Sequence, residues 1–167
     1  MNKLLEELLA VLDKYRLTIC FVDCFTNGEL ELLCYSNPQL EDALMGFVHL
    51  VREAQFHRQF DINISSIYDN GLNSQSIGRQ IVLGASFRLD SDVAVSIMPK
   101  KDKTSVTISC GVIDENKNHT EVAYKTVQVD VNNLQASKKV VMAEALLLAT
   151  ESIEKEFERQ ESTFFYG

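Results

Sequence analysis

Residues 17–35, LTICFVDCFTNGELELLCY, decide how the rest of the chain is read. Residues 17–25 and 29–35 are two β-like runs on either side of Thr26-Asn27-Gly28. Asn-Gly suits a two-residue hairpin turn, because both central residues of that turn need positive φ. The expected element is therefore a β-hairpin in which Phe25 faces Leu30, Asp23 faces Leu32 and Phe21 faces Cys34. In that register one face carries Ile19, Phe21, Phe25, Leu30, Leu32 and Cys34, with Asp23 among them. Asp23 is the anomaly of the sequence. A carboxylate on an apolar face must be hydrogen-bonded or paired. Either it lies near the strand end and reaches water or a backbone N–H, or it faces a ligand and meets Arg79 or Arg88.

Upstream lies an amphipathic helix over about residues 2–15, with Leu5, Leu8, Leu12 and Tyr15 at three- and four-residue steps. Downstream, Asn37 suits an N-cap and Pro38 a first helical position. Leu40, Leu44, Phe47, Val48 and Val51 then predict a second helix reaching about 55–57. His49, Glu53 and His57 fall on the polar side of that helix and read as an ordinary solvent face, with no metal site.

Residues 58–78 read as a short strand at Ile62 and Ile64, a turn at Asp69-Asn70-Gly71, and a polar loop. Long irregular stretches in compact domains often carry function. From Arg79 to Val129 the chain reads as a four-strand meander. It begins with the alternation of Ile81, Leu83, Ala85, Phe87 and Leu89, and continues through 93–97, 106–112 and 121–129. A long helix follows, capped by Asn132 or Asn133 and reaching about Gln160. Its second half is charged, and the chain ends on Phe164, Phe165 and Tyr166.

Together these readings predict one α+β domain over 1–167. A mostly antiparallel sheet, the N-terminal hairpin plus the four-strand meander, packs against an N-terminal helix, a second helix and a long C-terminal helix. A projecting helix end and an aromatic tail occupy 151–167.

The 167 residues carry a formal net charge of −8. That balance argues against a dedicated nucleic-acid binder, whose footprint would be basic. Lys100, Lys101, Lys103, Lys138 and Lys139 read as solvation of a turn and a helix start. Cys20, Cys24, Cys34 and Cys110 lie in apolar runs and read as buried free thiols. Acidic residues interrupt the N-terminal leucines, and no apolar run approaches the roughly 20 residues that span a bilayer. A soluble cytoplasmic protein with no membrane contact is expected.

No Walker A sequence, G-x-G-x-x-G, G-x-S-x-G or H-E-x-x-H occurs. No motif identifies a family, a catalytic residue, a metal or a cofactor. The first functional expectation is a non-enzymatic protein–protein interaction module: a small acidic adaptor, chaperone or inhibitor. Its partner would be a protein, basic or nucleic-acid-handling, docked on Phe157, Phe164, Phe165 and Tyr166, and the long helix would make a homodimer. The alternative is a small-ligand-binding protein or enzyme, with its pocket between the sheet and the 58–78 loop and Asp23, Tyr68, Arg79 and Arg88 as ligand-binding candidates.

Overall fold

The computed structural model describes residues 1–166 except Glu115, Lys117, His119 and Thr120, and side chains as far as Glu158. A five-stranded sheet runs in the order β2-β1-β3-β4-β5. Its strands are β1 (Ile19–Asp23), β2 (Leu44–Val48), β3 (Val93–Pro99), β4 (Ser105–Val112) and β5 (Ala123–Gln128). Among the described residues seven helices accompany them: α1 (Asn2–Tyr15), α2 (Glu29–Tyr35), α3 (Pro38–Glu41), α4 (Glu53–Phe60), α5 (Ile64–Asn70), α6 (Gln75–Leu89) and α7 (Leu134–Tyr166).

The expectation of a mostly antiparallel sheet is corrected. β1 pairs in parallel with β2 on one side and with β3 on the other. Only β3–β4 and β4–β5 are antiparallel. Parallel strands need crossovers, and the crossovers place helices on both faces. Ile19 and Phe21 of β1 enter a core built with α1, α2, α3 and α7. Cys20 and Val22 enter a second core built with α4, α5 and α6. A strand covered on both faces must be apolar throughout, which is why ICFV shows no alternation.

The hairpin is the decisive correction. Asn27 and Gly28 do take positive φ, 56° and 88°. The chain then enters α2 instead of returning as a strand. ELELLCY satisfies both periods: it alternates, and it also places Leu30, Leu33 and Cys34 at helical spacing. The helical set wins. Leu30 and Cys34 are fully buried, while Leu32, which the hairpin would have placed inside, is 74% exposed. Both edges of β1 are already taken by β2 and β3, so no hairpin partner could pair with it.

The second helix is also corrected. Asn37 caps only the single turn of α3, accepting the Gln39 N–H at 3.1 Å. Residues 44–48 pair with β1 instead, opposing Phe47 to Phe21 and Val48 to Val22. Gly46 lies mid-run and weakens the helical alternative. The strand expected at 62–64 is the start of α5, capped by Asn63 through the Ser65 N–H at 2.8 Å. The first meander strand is α6. Ile77, Ile81, Val82, Ala85 and Ser86 form its buried face, and Phe87 is 86% exposed. Three of the four expected meander strands remain, as β3, β4 and β5. α1 and α7 form where expected, and Asn133 accepts the Ala136 N–H at 3.3 Å. α7 runs on to Tyr166. Among the described residues no helix is long and apolar enough to cross a membrane.

Candidate functional site

Open sheets bind ligands beyond the carboxyl ends of their parallel strands, where successive crossovers leave on opposite faces. Here that switch lies between β1 and β3, and a cavity opens beside it, at the carboxyl ends of β1 and β2. The β1–β2 crossover (α2, α3) packs on one face and the β2–β3 crossover (α4 to α6) on the other.

Asp23 ends β1 and is 1% exposed. Its Oδ1 accepts the N–H groups of Phe25 at 3.0 Å and Thr26 at 2.9 Å. Its Oδ2 accepts the Thr26 hydroxyl. Thr26 Oγ1 in turn accepts the Leu30 N–H at 3.2 Å and so caps the first turn of α2. The carboxylate thus fixes the turn from which α2 departs. Asp23 spends its oxygens on its own turn, which agrees with the backbone-capping expectation.

The β2 end supplies His49. One ring nitrogen, Nδ1, lies 2.9 Å from the Asp23 carbonyl oxygen. The other, Nε2, lies 3.0 Å from Glu31 Oε2 on α2. The ring stacks on Phe47 with centroids 6.5 Å apart, and Phe47 stacks on Phe21 at 5.0 Å. Burial pulls the His49 pKa down, but the hydrogen bonds and negative charges of Glu31 and Asp23 outweigh it, and the net direction is upward. Cys24 follows Asp23, half-buried. Burial pushes its thiol up to about 11, opposed by a hydrogen bond at Leu50 and assisted by the Asp23 charge. It rests as a neutral thiol.

These groups surround a cavity of about 370 Å³ reached between the β1–α2 turn, the face of Glu31 and the β2–α4 connection at His49, Leu50 and Val51. The connection is stiffened from behind: Gln55 Oε1 accepts the Val51 and Arg52 N–H groups, each at 2.8 Å. The far side of α2 is tied to α7, because Gln135 donates to Glu29 Oε1 at 2.8 Å and Lys138 stands 3.9 Å from Glu29 Oε2. A wider hollow of about 640 Å³ lies between α1 and α3. Its polar side chains are the helix-face carboxylates Glu6 and Asp13, Gln39, and Asn37, whose oxygen is already occupied as a cap.

Of the four ligand-binding candidates, only Asp23 belongs to this cavity. Tyr68 stands on α5, 70% exposed. Arg79 lies beside Tyr124 of β5, and Arg88 is exposed in the last turn of α6. Residues 58–78, expected as a loop beside a pocket, are largely helical: the end of α4, α5 and the start of α6. Phe157, expected to await a partner, stacks on Tyr15 with centroids 4.4 Å apart. The side chains of Phe164, Phe165 and Tyr166 lie outside the described residues. His49, Glu53 and His57 do not share a helix; His57 Nδ1 meets the Ile62 carbonyl at 2.7 Å. Among the described residues no group of His, Cys, Asp or Glu side chains is gathered to hold a metal.

Sequence reasoning missed Glu31 and His49. His49 was placed on the solvent face of a helix, and Glu31 on a partly covered face of a hairpin strand, and neither element forms there. The available signal was Gly46 inside the apolar run of the supposed second helix.

No family model matches the sequence, and no curated protein matches it. Solved structures resemble its fold. A competence or damage-inducible protein from Enterobacter asburiae superposes with a TM-score of 0.79 at 11% identity, covering 90% of this chain and 96% of that one. The chain shares its fold with that protein. A competence-damaged protein (CinA) superfamily protein from Klebsiella pneumoniae gives 0.79 at 10% identity, covering 92% and 97%. The competence/damage inducible protein CihA from Agrobacterium tumefaciens gives 0.74 at 13% identity, covering 89% and 94%. At such identities the likeness is one of fold. The mixed sheet and its two helical layers are those of CinA-like structures.

Proposed function

We propose that the chain binds a small polar ligand in the cavity at the end of β1 and β2. One observation carries this reading: His49 and Glu31, from two different crossovers, meet over a concavity at the carboxyl edge of the parallel strands. The cavity volume falls within the roughly 300–1,000 Å³ usual for small-molecule sites. Glu31 presents an acceptor and Asn27 an amide, so the fitting ligand carries a hydrogen-bond-donating or cationic group. The neutral Cys24 thiol gives no support to a nucleophilic step, and no reaction is assigned. The names of the structural neighbours speak of competence and damage and supply no chemistry to carry over. The docking reading is weaker, since Phe157 is already spent inside the chain.

The test is native mass spectrometry on the protein recovered gently from its own cells, beside its Glu31→Ala variant. A small-molecule adduct on the parent chain that Glu31→Ala loses supports the cavity. An adduct that Glu31→Ala retains, or a stoichiometric second polypeptide with no small adduct, overturns it.

A further inference from the structure

We propose that His49 is a proton-operated latch, which as an imidazolium ties α2 and the ends of β1 and β2 together around the cavity and releases Glu31 when it loses its proton. The Asp23 carbonyl can only accept, and so can an ionised Glu31 carboxylate. Both ring nitrogens face such acceptors at hydrogen-bond distance, 2.9 and 3.0 Å. Both must therefore donate, and a ring with two N–H groups is charged. A neutral ring keeps one N–H and can hold one partner. Its bare nitrogen then confronts a lone pair on the other.

The groups that face His49 are Glu31 from α2, Asp23 from the end of β1 and the Cys24 thiol in the following turn. The first two favour the charged ring. The thiol, with its pKa near 11, stays neutral through the range in which histidine titrates. The ring lies nearly parallel to that of Phe47, with 13° between the planes and centroids 6.5 Å apart, which favours the orientation that meets both acceptors. Of the two bonds, the one to Glu31 breaks first, because that carboxylate is on a side chain 38% exposed and water can replace the ring. α2 itself stays seated, since Leu30 and Cys34 are buried and Glu29 is held by Gln135. What opens is the wall between Glu31 and His49.

The sign follows from linkage. A histidine whose folded-state pKa is raised adds stability that is fully present below its unfolded value of about 6.5 and is lost as pH rises through the folded value. The latch is closed in mild acid and open in mild alkali.

The effect on binding rests on the cavity reading above, but the latch does not, so the test uses the ligand-free chain. Imidazole nitrogen resonances of His49 and His57, and the backbone amides of Cys24 and Leu32, are followed by NMR from pH 5 to 9. The expected result is a His49 midpoint above 6.5, both nitrogens protonated below it, and the Cys24 and Leu32 amides moving with the same midpoint. Glu31→Gln should lower that midpoint by half a unit or more and uncouple Leu32. A midpoint at or below 6.5, or amides on α2 that ignore it, overturns the latch and leaves the cavity reading intact. If Glu31→Gln does not fold, the wild-type titration decides alone.

Discussion

Asp23 is the residue whose loss the fold should feel most at this end of the sheet. Asp23→Ala strands three donors in a buried turn: the Phe25 and Thr26 N–H groups and the Thr26 hydroxyl. Hydrogen bonds to charged groups contribute about 1.5–3 kcal/mol each, and a buried donor left unpaired costs about 1–3 kcal/mol. Against this, removing the carboxylate recovers its own desolvation, several kcal/mol for a buried ion. The balance is a loss of about 3–5 kcal/mol. Thr26 also loses its anchor, so the cap on Leu30 N–H loosens and part of α2 goes with it. Asp23→Asn keeps an oxygen for the two N–H groups and should cost about half as much. Glu31→Ala, which removes one partner of a partly exposed pair, should cost under about 1 kcal/mol. The assay is urea denaturation followed by circular dichroism. With a slope of about 2 kcal/mol per molar, Asp23→Ala should lower the midpoint by about 2 M. A loss below about 1 kcal/mol, or one equalled by Glu31→Ala, would refute the assignment of Asp23 as the keystone of the β1–α2 turn.

Three further outcomes are expected. Gly84 of α6 rides against Phe60, and an added methyl would lie 2.7 Å from Phe60 Cβ and 3.3 Å from its Cα. Gly84→Ala should therefore destabilise by about 1–3 kcal/mol despite alanine's helix preference, read as a lowered urea midpoint; an unchanged midpoint would deny the close approach. Ser109 Oγ is buried without a partner among the described residues, so Ser109→Ala should be neutral or stabilise by up to about 1 kcal/mol, and a clear loss would reveal a hidden partner. With its thiol pushed up to about 11 against an ordinary value of 9.0, Cys24 should react with a thiol reagent at pH 8 about a hundredfold more slowly in the native protein than in urea. Native reaction as fast as in urea would mean an exposed or activated thiol.

The site was half legible. Asp23 stood out because it sits on the apolar face of LTICFVDCF, and of the two expected remedies, water or a backbone N–H near the strand end, the fold uses backbone N–H groups. The positive φ of Asn27 and Gly28 was also legible, because their residue types ask for it whatever follows. Glu31 and His49 were not. Their partnership joins α2 to β2, and both elements were assigned the opposite secondary structure. The arginines were drawn toward Asp23 on the assumption that its charge needed a cation; three hydrogen bonds satisfy it instead.

What the sequence by itself determined is local or long-range in period: α1 and α7, whose apolar rows recur over several turns, the strands β1, β3, β4 and β5, the cap at Asn37 and a cap at Asn132 or Asn133. What only the tertiary structure decided is the state of the short apolar segments at 29–35, 44–48 and 77–89. Each fits a helical and a strand period nearly equally well, so the local preference between them is worth little. The choice falls to whatever lies beside them. Both edges of β1 are filled by β2 and β3, which leaves 29–35 to bury Leu30 and Cys34 as a helix, and a sheet covered on both faces demands crossover helices where a meander would have left one face bare.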